Sequence, residues 1–325
     1  MTPAGHVLAL CGGVGGAKMA YGLTRILAPD QLTIAVNTGD DFEHLGLAIS
    51  PDLDTVTYTL AGLSDEERGW GLAGESWNFL QSLGRLGGED WFMLGDQDLA
   101  MHMLRTQALA AGETLSQVTT RLIRRLGVAH CVVPMSDQPV RTVIDTAGET
   151  LSFQHYFVRD RCQPVATGVR VEGAEAANPS PAFAEALART DLRAILICPS
   201  NPYLSIDPIL AIPGVREAVA GSAAPCVAVS PIVGGAAIKG PAAKLMQELG
   251  VAPSSETVAR HYAGLIDGLV LDVVDAQEAA AVEALGVRAH VAATVMRSDQ
   301  DRIALARETL AFAASRPARN PAKVG

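Results

Sequence analysis

Short apolar runs recur along this chain with helix-patterned segments between them, and that alternation most constrains the fold. The strand-like runs lie at 7–10, 32–37, 129–134, 194–199, 226–230, 268–274 and 290–296. Helical spacing of apolar residues covers 97–111, 115–126, 181–189, 241–249 and 255–266. Strands alternating with helices predict an α/β fold, a mostly parallel sheet flanked by helices. Ligands of such sheets bind beyond the C-terminal strand ends, at a topological switch point. One stretch breaks the rhythm. Residues 140–171 read as a β-hairpin around Ala147-Gly148-Glu149, a small insertion in a single α/β domain spanning 1–325. The polar, proline-containing tail at about 316–325 is expected to fray.

The first strand runs into Gly12-Gly13-Val14-Gly15-Gly16-Ala17-Lys18, and a helix is expected over 19–27. Gly12, Gly13, Gly15 and Gly16 therefore sit between a strand and a helix. Glycine permits positive φ and close approach of backbone to ligand, and a helix N-terminus seats phosphate. Neither common phosphate motif fits. Walker A needs Gly-Lys-Ser/Thr, but Lys18 follows Ala17 and precedes Met19. The dinucleotide fingerprint needs a third glycine where Lys18 stands. A tight strand–helix turn that binds nothing is the bland alternative.

The net charge of −10, with no strongly basic stretch, argues against nucleic acid as a partner. An anionic ligand then needs a local cation, and a divalent metal ion is one source. The cysteines Cys11, Cys131, Cys162, Cys198 and Cys226 form no CxxC pair, which suits reduced thiols in the cytosol. The N-terminus has no basic segment followed by a long apolar one, so no signal peptide is expected. No apolar run is long enough to span a bilayer.

Asp40 and Asp41 follow the second strand, and Asp52 and Asp54 follow shortly after Pro51. Carboxylates this crowded repel one another unless a cation or protons relieve them. Magnesium, which favours carboxylate and phosphate oxygen, is one answer. The other is that Asp52 or Asp54 caps a helix starting near Val56. A second group follows Gly95: Asp96, then Asp98, His102 and Arg105 at i, i+4 and i+7 on one helix face. The tryptophans Trp70, Trp77 and Trp91 all lie within 70–91, which suits core packing or a flat aromatic ligand. Two more strands lead into small polar residues. Ser200, Asn201 and Ser205 occupy a proline-stiffened loop, and Ser230, Gly234, Gly235, Lys239 and Gly240 precede a helix with Pro241 at its first position.

Together, GGVGGAK (12–18), VNTGDD (36–41), SPDLDT (50–55), RGWGL (68–72), LGDQDLAMH (94–102), PMSD (134–137), PSNPYLSIDPIL (199–210) and SPIVGG (230–235) resemble the 2-phospho-L-lactate transferases of coenzyme F-420 biosynthesis. The similarity runs along nearly the whole chain. It implies a cytosolic, usually dimeric enzyme with a Rossmann-like core that requires Mg²⁺. Its reaction joins a three-carbon phosphoacid to the deazaflavin alcohol 7,8-didemethyl-8-hydroxy-5-deazariboflavin (Fo). The donor is a guanosine diphosphate ester of that acid, and GMP leaves.

Carried over residue by residue, the resemblance gives the donor diphosphate to Gly12, Gly13, Gly15, Gly16 and Lys18. Ser200, Asn201, Ser230 and Gly234 would frame the guanosine. Asp40, Asp41, Asp52 and Asp54 would share Mg²⁺. Asp54, Met93, Asp96, Asp98 and His102 would line the Fo side, Met93 through its backbone. Asp54 and Asp52 are the catalytic candidates, with Asp54 orienting or deprotonating the attacking hydroxyl. The three-carbon acid, of phospholactate, phosphoenolpyruvate or 3-phosphoglycerate type, is not named by these residues. A nucleotide-sugar-binding regulator of the same fold is the alternative, set against GDQDLAMH and the Asp52/Asp54 pair.

Overall fold

The structure, a computed structural model, describes residues 5–238 and 240–315. Lys239 and the expected fraying at 316–325 lie outside the described residues. The central sheet contains β1 (His6–Cys11), β2 (Leu32–Val36), β3 (Cys131–Pro134), β4 (Leu192–Ile197), β5 (Cys226–Val229), β6 (Gly268–Asp272) and β7 (Arg288–Ala292). Their order is β7-β6-β5-β4-β1-β2-β3, and every pairing is parallel. The chain builds outward from β1 to β3, then returns to lay β4 on the other side of β1. The switch point falls between β1 and β4, where Leu10 pairs with Ile197. This is the order of an open Rossmann-like sheet with a seventh strand added.

Both faces of the sheet are covered, so its strands read as continuous apolar runs rather than alternating ones. Leu8 and Leu10 of β1 join one core, with Phe183 and Ala186 of the helix Pro181–Leu187. Val7, Ala9 and Cys11 join the opposite core. That second core takes Met19, Ala20 and Leu23 from α1 (Gly13–Thr24), and Leu53 and Val56 from α2 (Pro51–Ala61). Leu305 and Ala306 of the C-terminal helix Asp299–Ala314 complete it. Three further helices, α3 (Asn78–Arg85), α4 (Asp98–Ala110) and α5 (Leu115–Arg125), lie between β2 and β3.

Several local expectations shift. The first helix begins at Gly13, not near Met19, so three of the glycines lie in its first turn. The second begins at Pro51, not near Val56, with Ser50 at the N-cap. Asp52 and Asp54 are therefore inside its first turn rather than capping it. The segment expected as a loop after β4 coils into helical turns at Pro202–Ile206 and Asp207–Leu210. The hairpin at 140–171 is present, with Arg141–Thr146 against Thr150–Ser152. A third strand, Ala166–Glu172, pairs with its outer side. The helix expected from Pro241 runs over Ala242–Glu248, with Pro241 at its N-cap.

Candidate active site

A cavity of about 660 Å³ opens at the C-terminal ends of β1, β2, β4 and β5. That volume is within the range of small-molecule sites.

One wall is the start of α1. Gly12 is extended (φ −165°) and Gly13 turns left-handed (φ +65°), a conformation that favours glycine. The Ser200 hydroxyl accepts the Gly12 N–H at 3.1 Å and donates to the Gly12 carbonyl at 2.8 Å. The Gly13 N–H donates to Asp52 Oδ1 at 2.7 Å. Gly15 packs so tightly that an added Cβ would lie 2.3 Å from the Pro199 carbonyl oxygen. The helix start is thus pressed against the segment following β4, while Gly13, Val14 and Gly15 face the cavity. Amides of a first turn lack intrahelical acceptors and carry partial positive charge, so this wall suits an anion. Lys18 also lines the cavity, its Nζ donating to the Met296 carbonyl at 3.0 Å.

The four carboxylates expected to act as one group separate. Asp40 and Asp52 both line the cavity. The Asn37 amide joins them, donating to Asp52 Oδ2 at 2.9 Å and Asp40 Oδ1 at 3.3 Å. Burial, then the charges of Asp52 and Asp41, hold the Asp40 carboxyl well above the ordinary carboxylate range. Burial raises Asp52 to about 6 despite its bonds from Asn37 and Gly13. Asp41 is no part of the cavity wall. It accepts the Ser50 hydroxyl at 2.8 Å, and burial lifts it to about 7 against the opposing charge of Arg141. Asp54 lines the cavity, but both its oxygens are held by the guanidinium of the buried Arg105.

A divalent cation can be tested against these sets. Asp40 and Asp52 offer buried, crowded oxygen ligands whose repulsion a hard cation would relieve, and they fit magnesium. Asp41 points elsewhere, and Arg105 already neutralises Asp54. Asp54, Asp98 and His102 present atoms within 4.8 Å of one another. That set contains an imidazole and adjoins the Arg105 charge, so it suits magnesium less well.

The expected helix face of α4 forms as drawn. His102 is 1% exposed, with Nε2 3.3 Å from Asp98 Oδ2 and Nδ1 3.6 Å from Asp54 Oδ2. Tyr58, one turn beyond Asp54 on α2, donates its hydroxyl to Asp98. Burial would raise the Asp98 carboxyl, but His102, Tyr58 and Arg105 outweigh it and hold the group low. Met93, Asp98 and His102 all line the cavity.

Asp96 is not part of the cavity wall. It accepts the backbone N–H groups of Asn78 and Phe79 at 3.1 and 3.0 Å, closing the start of α3. Bonds from Ser76, Phe79 and Asn78 lower it to about 2. Asp96→Ala is expected to lower the thermal midpoint while leaving ligand affinities unchanged, which calorimetry would check. Two other expected contacts also fall away from the cavity wall. Gly16 packs on Ser200, and the Gly234 N–H is held at 3.0 Å by each oxygen of Asp275. Ser200, Asn201 and Ser230 do line the cavity. Asn201 also caps the next helical turn, accepting from the amides of Tyr203 and Leu204.

Other wall residues were not selected from sequence. Tyr58 could have been, by its i+4 spacing from Asp54. Phe153 and Phe157, stacked with centroids 5.3 Å apart, come from the insertion, where nothing in the sequence marks them as site residues. Of the tryptophans, Trp91 packs against His44 and His155, and Trp70 lines the cavity.

A Rossmann-like sheet whose switch-point cavity combines a glycine-bounded helix start, a lysine and paired buried carboxylates defines an α/β protein with a small-molecule site. The chain belongs to the 2-phospho-L-lactate transferase CofD family, whose family model matches residues 7–310, and it is a phosphotransferase of that family. A phosphoenolpyruvate transferase of Kitasatospora aureofaciens is 43% identical over 315 residues, covering 95% of this chain and 98% of that one. A 2-phospho-L-lactate transferase of Methanosarcina mazei is 39% identical over 289 residues, covering 89% and 94%. A solved structure of a UPF0052 family member from Bacillus halodurans shares the fold, with a TM-score of 0.62 at 17% identity, covering 95% of this chain and all of that one. No helix among the described residues is long and apolar enough to cross a membrane.

Proposed function

We propose that this enzyme transfers a phospho-three-carbon-acid group from a guanosine diphosphate ester to the ribityl hydroxyl of Fo, releasing GMP. The observation that carries this reading is one cavity joining the α1 N-terminus and Lys18 to the Asp54–Asp98–His102 side and an aromatic wall. A charged donor and a planar acceptor can meet there. The names of the Kitasatospora and Streptomyces relatives, phosphoenolpyruvate transferases, favour an enolpyruvyl donor.

In this reading the first-turn amides of α1 and Lys18 hold the diphosphate, and Ser200, Asn201 and Ser230 frame the nucleoside. Asp40 and Asp52 would hold Mg²⁺, which when bound neutralises diphosphate charge. Asp54 accepts the hydrogen bond of the attacking hydroxyl. With both oxygens also bonded to Arg105, it fixes the direction of the hydroxyl before taking up its proton. That suffices where catalysis depends on positioning and charge. The hydroxyl oxygen bonds to the phosphorus bearing the acid, the bond to the GMP oxygen breaks, and the hydroxyl proton passes to Asp54. A cytosolic homodimer is part of the same proposal.

The test is Fo fluorescence titration, then mass spectrometry of Fo incubated with the guanosine diphosphate ester and Mg²⁺. A product heavier by one phospho-enolpyruvyl group, with GMP released, is expected. Recovery of unmodified Fo would defeat the proposal.

A further inference from the structure

The RGWGL motif sits in the cavity wall, yet no part of the mechanism above uses it. Arg68, Gly69, Trp70 and Gly71 all contribute to that wall. The loop carrying them is closed on itself. The Asp65 N–H donates to the Gly71 carbonyl at 3.0 Å, and the Gly69 N–H to the Asp65 carbonyl at 2.9 Å. Ser64 and Leu72 form an antiparallel bridge across its base. The base is tied to the end of α2 through the Leu63 N–H and the Tyr58 carbonyl, 2.9 Å apart. Asp54 and Tyr58, one turn apart on α2, also line the cavity, so the loop extends the acceptor side of the site.

The loop turns twice through left-handed backbone, at Gly69 (φ +76°) and Gly71 (φ +70°), and Trp70 stands between the turns. Trp70 remains 41% exposed, a large hydrophobic residue left open beside a cavity. The ring is nevertheless held. Arg68 lies 5.2 Å from the Trp70 ring centroid and 5.0 Å from that of Trp77, and the two indoles meet edge to face at 6.2 Å. Asp65 and the Leu72 carbonyl anchor the guanidinium at 2.9 and 2.6 Å. An exposed indole costs least when it is already oriented for a ligand, because no side-chain freedom is then lost on binding.

We propose that Trp70 is the residue that selects a planar, fused-ring acceptor, its indole providing a preset stacking surface that Arg68 and Trp77 hold in place. This rests on the acceptor reading above and deepens it. The ring system of the acceptor contacts Trp70, while its polyol arm reaches Asp54. Trp77 and Arg68 act through Trp70 as positioning residues. The donor nucleotide, held at the start of α1 and by the segments after β4 and β5, is indifferent to Trp70.

The test is to titrate wild type, Trp70→Ala, Trp70→Phe and Trp77→Phe with Fo, by its fluorescence, and separately with GDP by calorimetry. Trp70→Ala is expected to weaken Fo about tenfold or more. It should leave GDP affinity within about twofold, which also shows that the variant is folded. Trp70→Phe should recover most of the loss, and Trp77→Phe should fall between. Unchanged Fo affinity in Trp70→Ala with GDP binding intact would overturn the assignment. Parallel losses of Fo and GDP affinity in Trp70→Phe would overturn it too, since a folding role would then explain both. If wild type bound GDP but no Fo, the acceptor reading would fail and this inference with it.

Discussion

Replacing Gly15 by alanine is expected to destabilise the protein by about 3 kcal/mol and to abolish donor binding. The added methyl would fall 2.3 Å from the Pro199 carbonyl oxygen. Both partners are backbone, one in a helix and one at a strand end, so neither can step aside cheaply. The helix start must move off the segment following β4, and the Ser200 bonds to Gly12 are broken with it. Gly13→Ala is the informative contrast. Its Cβ would meet nothing within 4 Å, so the cost is the left-handed backbone alone, about 1 kcal/mol. Gly13 lines the cavity, so that variant should stay folded and lose nucleotide affinity. Urea unfolding and GDP titration of both variants measure the two effects separately. Equal stability of Gly15→Ala and wild type would refute the close-packing account.

Asp40→Asn is expected to lower kcat/KM at least about a hundredfold while making the protein more stable at pH 8. The sign follows from burial. The Asp40 carboxyl is held well above the 3.8 of a free aspartate, by burial and then by Asp52 and Asp41. Asp52, at about 6, and Asp41, at about 7, behave alike. Above the 3.8 of a free aspartate, and up to about 6 for Asp52 and about 7 for Asp41, the folded state therefore binds more protons than the unfolded chain. Stability falls as pH rises through that window, and the full penalty is present above it. Well below the 3.8 of a free aspartate both states are protonated and the variant gains nothing. Magnesium should raise the thermal midpoint of wild type at pH 8 and leave that of Asp40→Asn unmoved. A variant as active as wild type, or one with the same magnesium response, would remove Asp40 from the metal site.

Much of the sheet is legible without coordinates. Each strand of the central sheet overlaps an apolar run, because a strand covered on both faces must be apolar at nearly every position. The ends are less legible. Gly13, Gly15 and Gly16 lie inside α1, although glycine is a poor helix former. Contact with Pro199 and Ser200, far along the chain, decides the matter. Asp96 and Asp98 show the same limit. Two residues apart in GDQD, they look alike as ligands, yet one closes α3 and the other faces His102 and Tyr58.

By itself the sequence determined the parallel α/β sheet, the strand–glycine–helix transition at its first crossover, and the family. These follow from local periodicity and from contiguous motifs. Only the tertiary structure decided which carboxylates could serve a cation. Arg105 reaches Asp54 from 51 positions away, Ser50 turns Asp41 aside, and Asn37 draws Asp40 and Asp52 together. A carboxylate's charge, proton and ligand depend on what is packed against it. That packing is set by strand order and helix crossing, which no stretch of neighbouring residues records.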